Sequence, residues 1–151
     1  MLNHLKKIFL PESLERETID ENKKLQVATC AIFIEMAKAD SSLTREEEEK
    51  IISIMKSSFD LDDDYIDELF ELAEADIKES ISLYEFTTIL DQNLNKEEKY
   101  EVMKNIWRLI YVDEKLDKYE DQLVKRIGVM LNLDFREVIA AKLEAKKEIN
   151  S

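Results

Sequence analysis

The sequence predicts an all-α protein, folded as a single compact bundle of about seven to eight helices. Glycine and proline each occur once in 151 residues, as Gly128 and Pro11, whereas strand-rich folds need turn residues far more often. Hydrophobic residues make up 44% of the chain and charged residues 38%, which is enough for one buried core and a well-hydrated surface. A small polar residue with an acid three positions later also recurs along the chain, a spacing typical of helix starts.

These start signals and the apolar periodicity together place the helices. Residues 28–39 and 100–112 are apolar nearly all round, which indicates two buried central helices. The start signals are Thr44 with Glu47, Ser82 with Glu85, Asn95 with Glu98, Asp117 with Glu120, and Asp134 with Glu137. The predicted helices cover residues 2–9, 21–39, 45–58, 63–79, 83–93, 96–112, 118–131 and 135–147, with a polar connection after Pro11.

The N-terminal segment is predicted to be separate from the main helical domain: residues 1–20 form a helix and a connection, and residues 21–151 form the domain. The first ten residues have neither a long apolar stretch nor a small-residue cleavage site, so they do not resemble a signal peptide. Two interpretations stay open, a short helix docked on the bundle or an interfacial amphipathic helix with Lys6 and Lys7 on its polar side. No apolar segment approaches the roughly 18 residues of a membrane span. We therefore expect a cytoplasmic protein that is not itself transmembrane.

The two buried helices are followed by the same acidic pattern, Asp-x-x-Leu-x-x-x-Glu. It runs from Asp40 to Glu47 and again from Asp113 to Glu120, at a constant offset of 73 residues. Two copies are too few for a solenoid, so a compact bundle with approximate twofold symmetry is the expected packing. The sequence thus predicts two pseudo-symmetric three-helix repeats, at about 28–75 and 101–145, joined by a connecting helix at 82–93.

The four carboxylates of these turns have two possible roles. Glu47 and Glu120 stand at the third helical position, where a glutamate bonds the cap residue and meets the positive end of the helix dipole. Asp40 and Asp113 instead close long buried helices, where the dipole disfavours an anion. Together the four residues could form an all-oxygen site, which suits Ca²⁺, Mg²⁺ or Mn²⁺. Helix capping and a divalent-cation site therefore both remain open, and no organic cofactor is expected.

Other kinds of site have weaker signals. The acids Asp60, Asp62, Asp64 and Glu71 have the spacing of an EF-hand loop, but Tyr65 occupies the sixth position, where a sharp turn requires glycine. The same run also resembles an acid-rich first helical turn. With one cysteine and one histidine the chain has too few ligands for a typical zinc site, and Cys30 lies in an apolar run where a cysteine is usually a small core residue.

Charge and composition argue against several classes of function. The formal net charge of −13 disfavours nucleic acid, whose binding depends on Lys and Arg neutralising phosphates, and it argues against broad docking on an anionic membrane. There is no glycine-rich phosphate loop and no Ser or Cys with a histidine partner, since His4 stands alone in a peripheral segment. We therefore expect a binding module and not an enzyme. A carboxylate-based hydrolase would need a closed pocket that contains a carboxylate of raised pKa.

Three segments resemble the TerB-like family, the tellurite-resistance TerB domain and its uncharacterised bacterial relatives. They are ATCAIFIEMAKAD at 28–40, LYEFTTIL at 83–90, and IWRLIYVD at 106–113 with Leu116 and Glu120. The resemblance covers about residues 22–146. One departure concerns the turns, because the glycine that usually follows the aspartate is replaced by Ser41 and Glu114.

The resemblance implies a cytoplasmic, non-catalytic all-α domain linked to tellurite resistance or wider stress and metal responses. It implies a protein partner, in some relatives a membrane protein, and it makes Asp40, Glu47, Asp113 and Glu120 the family's proposed metal-binding or interaction residues. The alternative is a plain protein–protein interaction bundle in which these acids serve only as helix caps.

Overall fold

The computed structural model describes residues 12–38, 43–79, 82–112 and 118–150, and the side chains of 21–38, 43–79, 82–112 and 121–149. Within these residues the fold is entirely helical, as predicted. The helices are α1 (Glu12–Ala37), α2 (Arg45–Phe59), α3 (Asp63–Lys78), α4 (Leu83–Asn93), α5 (Lys96–Ile110), α6 (Lys118–Met130) and α7 (Phe135–Asn150). The predicted helix at 2–9 lies outside the described residues.

Helix α1 begins at Glu12, nine residues before the predicted start at residue 21. The prediction relied on apolar periodicity, which the polar residues after Pro11 lack. Their Glu, Leu and Arg residues are nevertheless good helix formers, and extending an existing helix costs little compared with nucleating a new one. The polar connection predicted after Pro11 is therefore wrong, because this stretch continues the central helix.

The core is organised around α1 and α5. Helix α1 contacts α2, α3, α4, α5 and α6, and α5 makes its most extensive contacts with α7. In α1 the side chains of Cys30, Ala31 and Ile32 are fully buried, and in α5 those of Met103 and Ile106 are as well. The two apolar segments are thus buried at the centre of the bundle, as their composition predicts.

Two helix junctions have the same local geometry. Asp60 after α2 and Asn132 after α6 both adopt left-handed backbone conformations, with φ of 54° and 60°. In each case the next leucine N–H donates back into the preceding helix, from Leu61 to the Lys56 carbonyl at 3.3 Å and from Leu133 to the Gly128 carbonyl at 2.9 Å. An aspartate then caps the following helix. The local likeness agrees with the sequence repeat, whereas twofold symmetry of the whole bundle remains a prediction.

Gly128 lies where α6 packs against Val138 of α7. A Cβ built on this glycine would come within 2.6 Å of Val138 Cγ2, and Val138 is itself buried. Since real Cβ atoms do not approach other carbons this closely, the one glycine of the chain sets the distance between these two helices.

Candidate functional site

The structure describes the four acidic site residues unequally. Glu47 lies in the first turn of α2 and its side chain is described. Glu120 lies in the first turn of α6, with its side chain outside the described set, and Asp40 and Asp113 lie outside the described residues altogether. Whether the four carboxylates converge therefore remains a prediction.

Glu47 forms the capping box that its position predicts. The Glu47 N–H donates to Thr44 Oγ1 at 3.1 Å, and the Thr44 N–H donates to Glu47 Oε1 at 3.0 Å. The reciprocal pair satisfies two backbone N–H groups that the start of a helix leaves without partners. Capping is thus confirmed as one role of Glu47, and its second carboxylate oxygen, Oε2, takes no part in the box.

Burial distinguishes Glu47 from the other capping-box glutamates. Glu98 forms the same box with Asn95 and is exposed, and Glu137 forms it with Asp134 while pairing with Lys96 at 3.1 Å. Glu47 is only 6% exposed, and no Lys or Arg of the described residues forms an ion pair with it. A buried carboxylate without a cationic partner is costly, so Glu47 lies where a positive charge would stabilise it.

Tyr111 is a feature that sequence reasoning missed. It caps the end of α5, two positions before Asp113, and its ring stacks on Trp107 with centroids 6.2 Å apart. Its hydroxyl is buried and has no hydrogen-bond partner among the described residues, and burial raises the pKa of Tyr111. An unsatisfied buried hydroxyl costs about 1–3 kcal/mol. No sequence pattern predicts this unsatisfied hydroxyl, because a tyrosine at the end of an apolar helix has the pattern of an ordinary core residue.

Cys30 is a core residue, as its apolar surroundings predict. It is fully buried, and burial, with a smaller effect of the Glu74 charge, raises the pKa of its thiol to about 12. Since the thiolate is the reactive form of cysteine, this side chain is inert in the folded protein.

The EF-hand interpretation is wrong. The Tyr65 N–H donates to Asp62 Oδ1 at 2.8 Å, so Asp62 is the N-cap of α3. Asp64 and Glu71 lie inside that helix. A calcium loop wraps its ligands around the ion in a non-helical segment, and a helix that begins at Asp63 prevents this.

The described side chains contain no complete metal site. Among them, no three or more His, Cys, Asp or Glu residues come together in a way that could hold an ion. The two described carboxylates with displaced pKa values are Asp91 and Glu148, and in each the pKa is lowered, by Lys99 and by Arg108 respectively. A hydrolase would need the opposite displacement.

Two grooves cross the described surface. The first, of about 610 Å³, lies between α1, α3 and α4, and the exposed side chains of Leu72 and Tyr84 line it. The second, of about 860 Å³, lies between α1, α2 and α5, with Phe33 and Val102 on its apolar side and Ser53 and Ser57 on a polar wall. Both grooves are open at the surface, and neither is lined by Glu47.

The comparison with protein families shows to which family the chain belongs. The family model described as tellurite resistance protein TerB matches residues 26–143. The chain is a member of the TerB family. The match covers most of the chain and agrees with the resemblance seen over residues 22–146. No curated protein and no solved structure matched the chain.

Membership of the TerB family agrees with the all-helical fold and points to a tellurite-resistance-related module of a generally non-catalytic type. None of the described helices combines the length and apolarity needed to cross a lipid bilayer. The family match does not itself assign a ligand to the acidic turns.

Proposed function

We propose that this TerB-family protein is a non-catalytic, cytoplasmic module of tellurite resistance or a related stress response, and that its paired acidic turns bind a divalent cation. Asp40, Glu47, Asp113 and Glu120 supply the ligands. The observation that supports the proposal best is the burial of Glu47 at the start of α2, where no Lys or Arg of the described residues pairs with it.

The donor set fits a hard cation. Carboxylate oxygens are the ligands that Ca²⁺, Mg²⁺ and Mn²⁺ prefer in proteins, and a bound ion would offset the cost of burying Glu47. The capping box occupies Oε1 of Glu47 with a backbone N–H and leaves Oε2 outside the box.

The test is a titration of the metal-free protein with Ca²⁺ or Mn²⁺, followed by the melting temperature. A ligand that binds only the folded state stabilises it by about 2.7 kcal/mol at a hundred times its dissociation constant. The decisive variant is Glu47→Gln, because the amide oxygen preserves the capping box while the charge is lost. Glu98→Gln is the matched control, since it makes the same change in the exposed capping box of α5.

We expect the cation-dependent shift in wild type and in Glu98→Gln, and its loss in Glu47→Gln and in Asp40→Asn/Asp113→Asn. The cation proposal fails if wild type shows no shift. It also fails if the shift persists in the double aspartate variant, because the ion would then bind elsewhere on an acidic surface.

The second candidate is a protein-interaction bundle in which the acids are only caps. The capping box of Glu47 favours it, as does the groove between α1, α3 and α4, where exposed Leu72 and Tyr84 stand beside Val27 and Ile89. The partner would be a protein, of the cytoplasm or of the membrane. A pulldown that is lost on deleting residues 1–11 and indifferent to Asp40→Asn/Asp113→Asn would support this candidate over the first.

A further inference from the structure

Charge and exposed apolar surface are unevenly distributed over the molecule. Residues 122–149 carry six Lys or Arg and four Asp or Glu, a net charge of +2 in a chain whose total is −13. The same segment holds four of the six large hydrophobic side chains that are exposed among the described residues, namely Val129, Phe135, Leu143 and Ile149. A basic and apolar surface thus occurs on the C-terminal part of an otherwise acidic protein.

The apolar and basic side chains share one face of α7. Phe135, Ile139, Leu143, Lys146 and Ile149 follow the helical spacing that places residues on one side, and we call this set the α7 outer face. Phe135, Leu143 and Ile149 are 61%, 59% and 53% exposed. Large hydrophobic side chains that protrude together from a convex helix are typical of a contact surface.

The carboxylates of α7 point away from this face and are neutralised by other helices. Glu137 pairs with Lys96, Glu144 with Lys104 at 3.3 Å, and Glu148 with Arg108 at 2.7 Å. All three partners belong to α5, the helix with which α7 makes its most extensive contacts.

Three cations around the outer face are not neutralised in this way. Lys146, Lys147 and Arg136 are exposed and form no ion pair with any described residue. At the edge of the face, Lys125 of α6 pairs with Asp121 at 2.9 Å and lies 6.0 Å from the centre of the Phe135 ring. The acids of α7 are thus paired with cations of α5, whereas Lys146, Lys147 and Arg136 remain available for an external anion.

We propose that the α7 outer face binds the surface of an anionic lipid bilayer. Lysines that flank protruding Phe, Leu and Ile side chains match such a surface, where the apolar groups enter the headgroup boundary and the ammonium groups meet lipid phosphates. A convex ridge fits a deformable bilayer, whereas a protein partner would have to supply a matching groove.

The net negative charge of the chain does not prevent this contact. The acid-rich helix α3 packs against α1 and α2, whereas α7 packs against α5 and α6. Charges separated by more than about 8 Å are largely screened at physiological ionic strength. The uneven distribution of charge would instead orient the protein, with α7 facing the bilayer and α3 facing away from the bilayer.

The test is co-sedimentation of the full chain with vesicles in EDTA, so that cation binding at the acidic turns does not contribute. Equimolar phosphatidylcholine and phosphatidylglycerol is compared with phosphatidylcholine alone, at low and at physiological salt. We expect binding to the anionic vesicles only, weakened by salt. Lys146→Glu/Lys147→Glu should lower the partition coefficient by about tenfold or more, and Phe135→Ser should lower it at both salt concentrations.

Matched variants separate this face from the rest of the surface. Lys24→Glu/Lys78→Glu makes the same charge change on α1 and α3, and Tyr84→Ser removes an equally exposed aromatic ring, 66% exposed, from α4. Both variants should bind anionic vesicles as strongly as the wild type does. Circular dichroism verifies that every variant is folded.

Three results would overturn the proposal. The first is an absence of wild-type binding to anionic vesicles at either salt concentration. The second is binding that disappears on deletion of residues 1–11 and is indifferent to the α7 variants, which would assign the contact to the N-terminal segment with Lys6 and Lys7. The third is capture on immobilised poly-glutamate without vesicle binding, which would assign the face to an acidic protein partner.

Discussion

The ion pair between Arg108 and Glu148 shows how much a single residue pair at the surface contributes to the stability of this bundle. Arg108 donates from Nε to Glu148 Oε2 at 2.8 Å and from Nη2 to Oε1 at 2.7 Å, a two-pronged contact that ties α7 to α5. The hydrogen bond from Arg108 is the main reason that the pKa of Glu148 lies below its usual value of 4.5. A carboxylate with a lowered pKa stabilises the fold at pH values above its unfolded pKa, and this contribution is lost as the pH falls through the folded one.

We therefore expect Glu148→Gln to destabilise the protein by about 0.5 kcal/mol at neutral pH, since half-exposed ion pairs contribute little. The difference from wild type should be constant above about pH 5 and shrink as the pH falls below 4.5. Urea unfolding at several pH values measures it, and 1 M salt should reduce it. A difference that grows toward acid pH would contradict the assignment of this ion pair.

At the scale of helices, the contact between α6 and α7 depends on Gly128. Gly128→Ala improves helix propensity by about 1 kcal/mol but forces a methyl group against Val138 Cγ2, and overpacking costs about 1–3 kcal/mol. We expect a net loss of up to about 2 kcal/mol, measured by urea unfolding. In a Val138→Ala background the clash is removed, so the same substitution should become neutral or stabilising. If Gly128→Ala destabilises both backgrounds equally, the close approach is not the cause.

The helices illustrate which features can be predicted from the sequence. The starts at Thr44, Asn95 and Asp134 were predicted correctly because a capping box is local, so its residue types appear three positions apart in the chain. The start of α1 was missed because a polar helix has no apolar stripe to reveal it. The burial of Glu47 and the unpaired hydroxyl of Tyr111 could not be predicted, since each depends on which helices surround it. The convergence of Asp40, Glu47, Asp113 and Glu120 stays a prediction for the same reason.

At the scale of the whole molecule, acidic residues are concentrated in and around α3, whereas residues 122–149 carry a net positive charge. Residues 60–76 contain nine Asp or Glu and no Lys or Arg, and most of α3's outer face is exposed. Among the described residues, Lys56 pairs with Asp63 and Lys23 pairs with Glu68, which compensates part of this charge. Like charges so close together repel one another and lower the stability of the folded state.

Reversing one of these charges should therefore stabilise the protein. In Glu71→Lys the new ammonium group has Asp67 four residues earlier, the more favourable orientation for a helical ion pair, with Glu68 and Glu74 also one turn away. We expect the free energy of unfolding to rise by about 0.5–1 kcal/mol at low salt, measured by urea unfolding. Glu71→Gln should give about half of this gain. Most of the gain should be lost in 1 M salt because the repulsion is then screened. A gain that is independent of salt would indicate helix propensity as its source, and a loss of stability would mean that α3 keeps its acids for a contact within the fold.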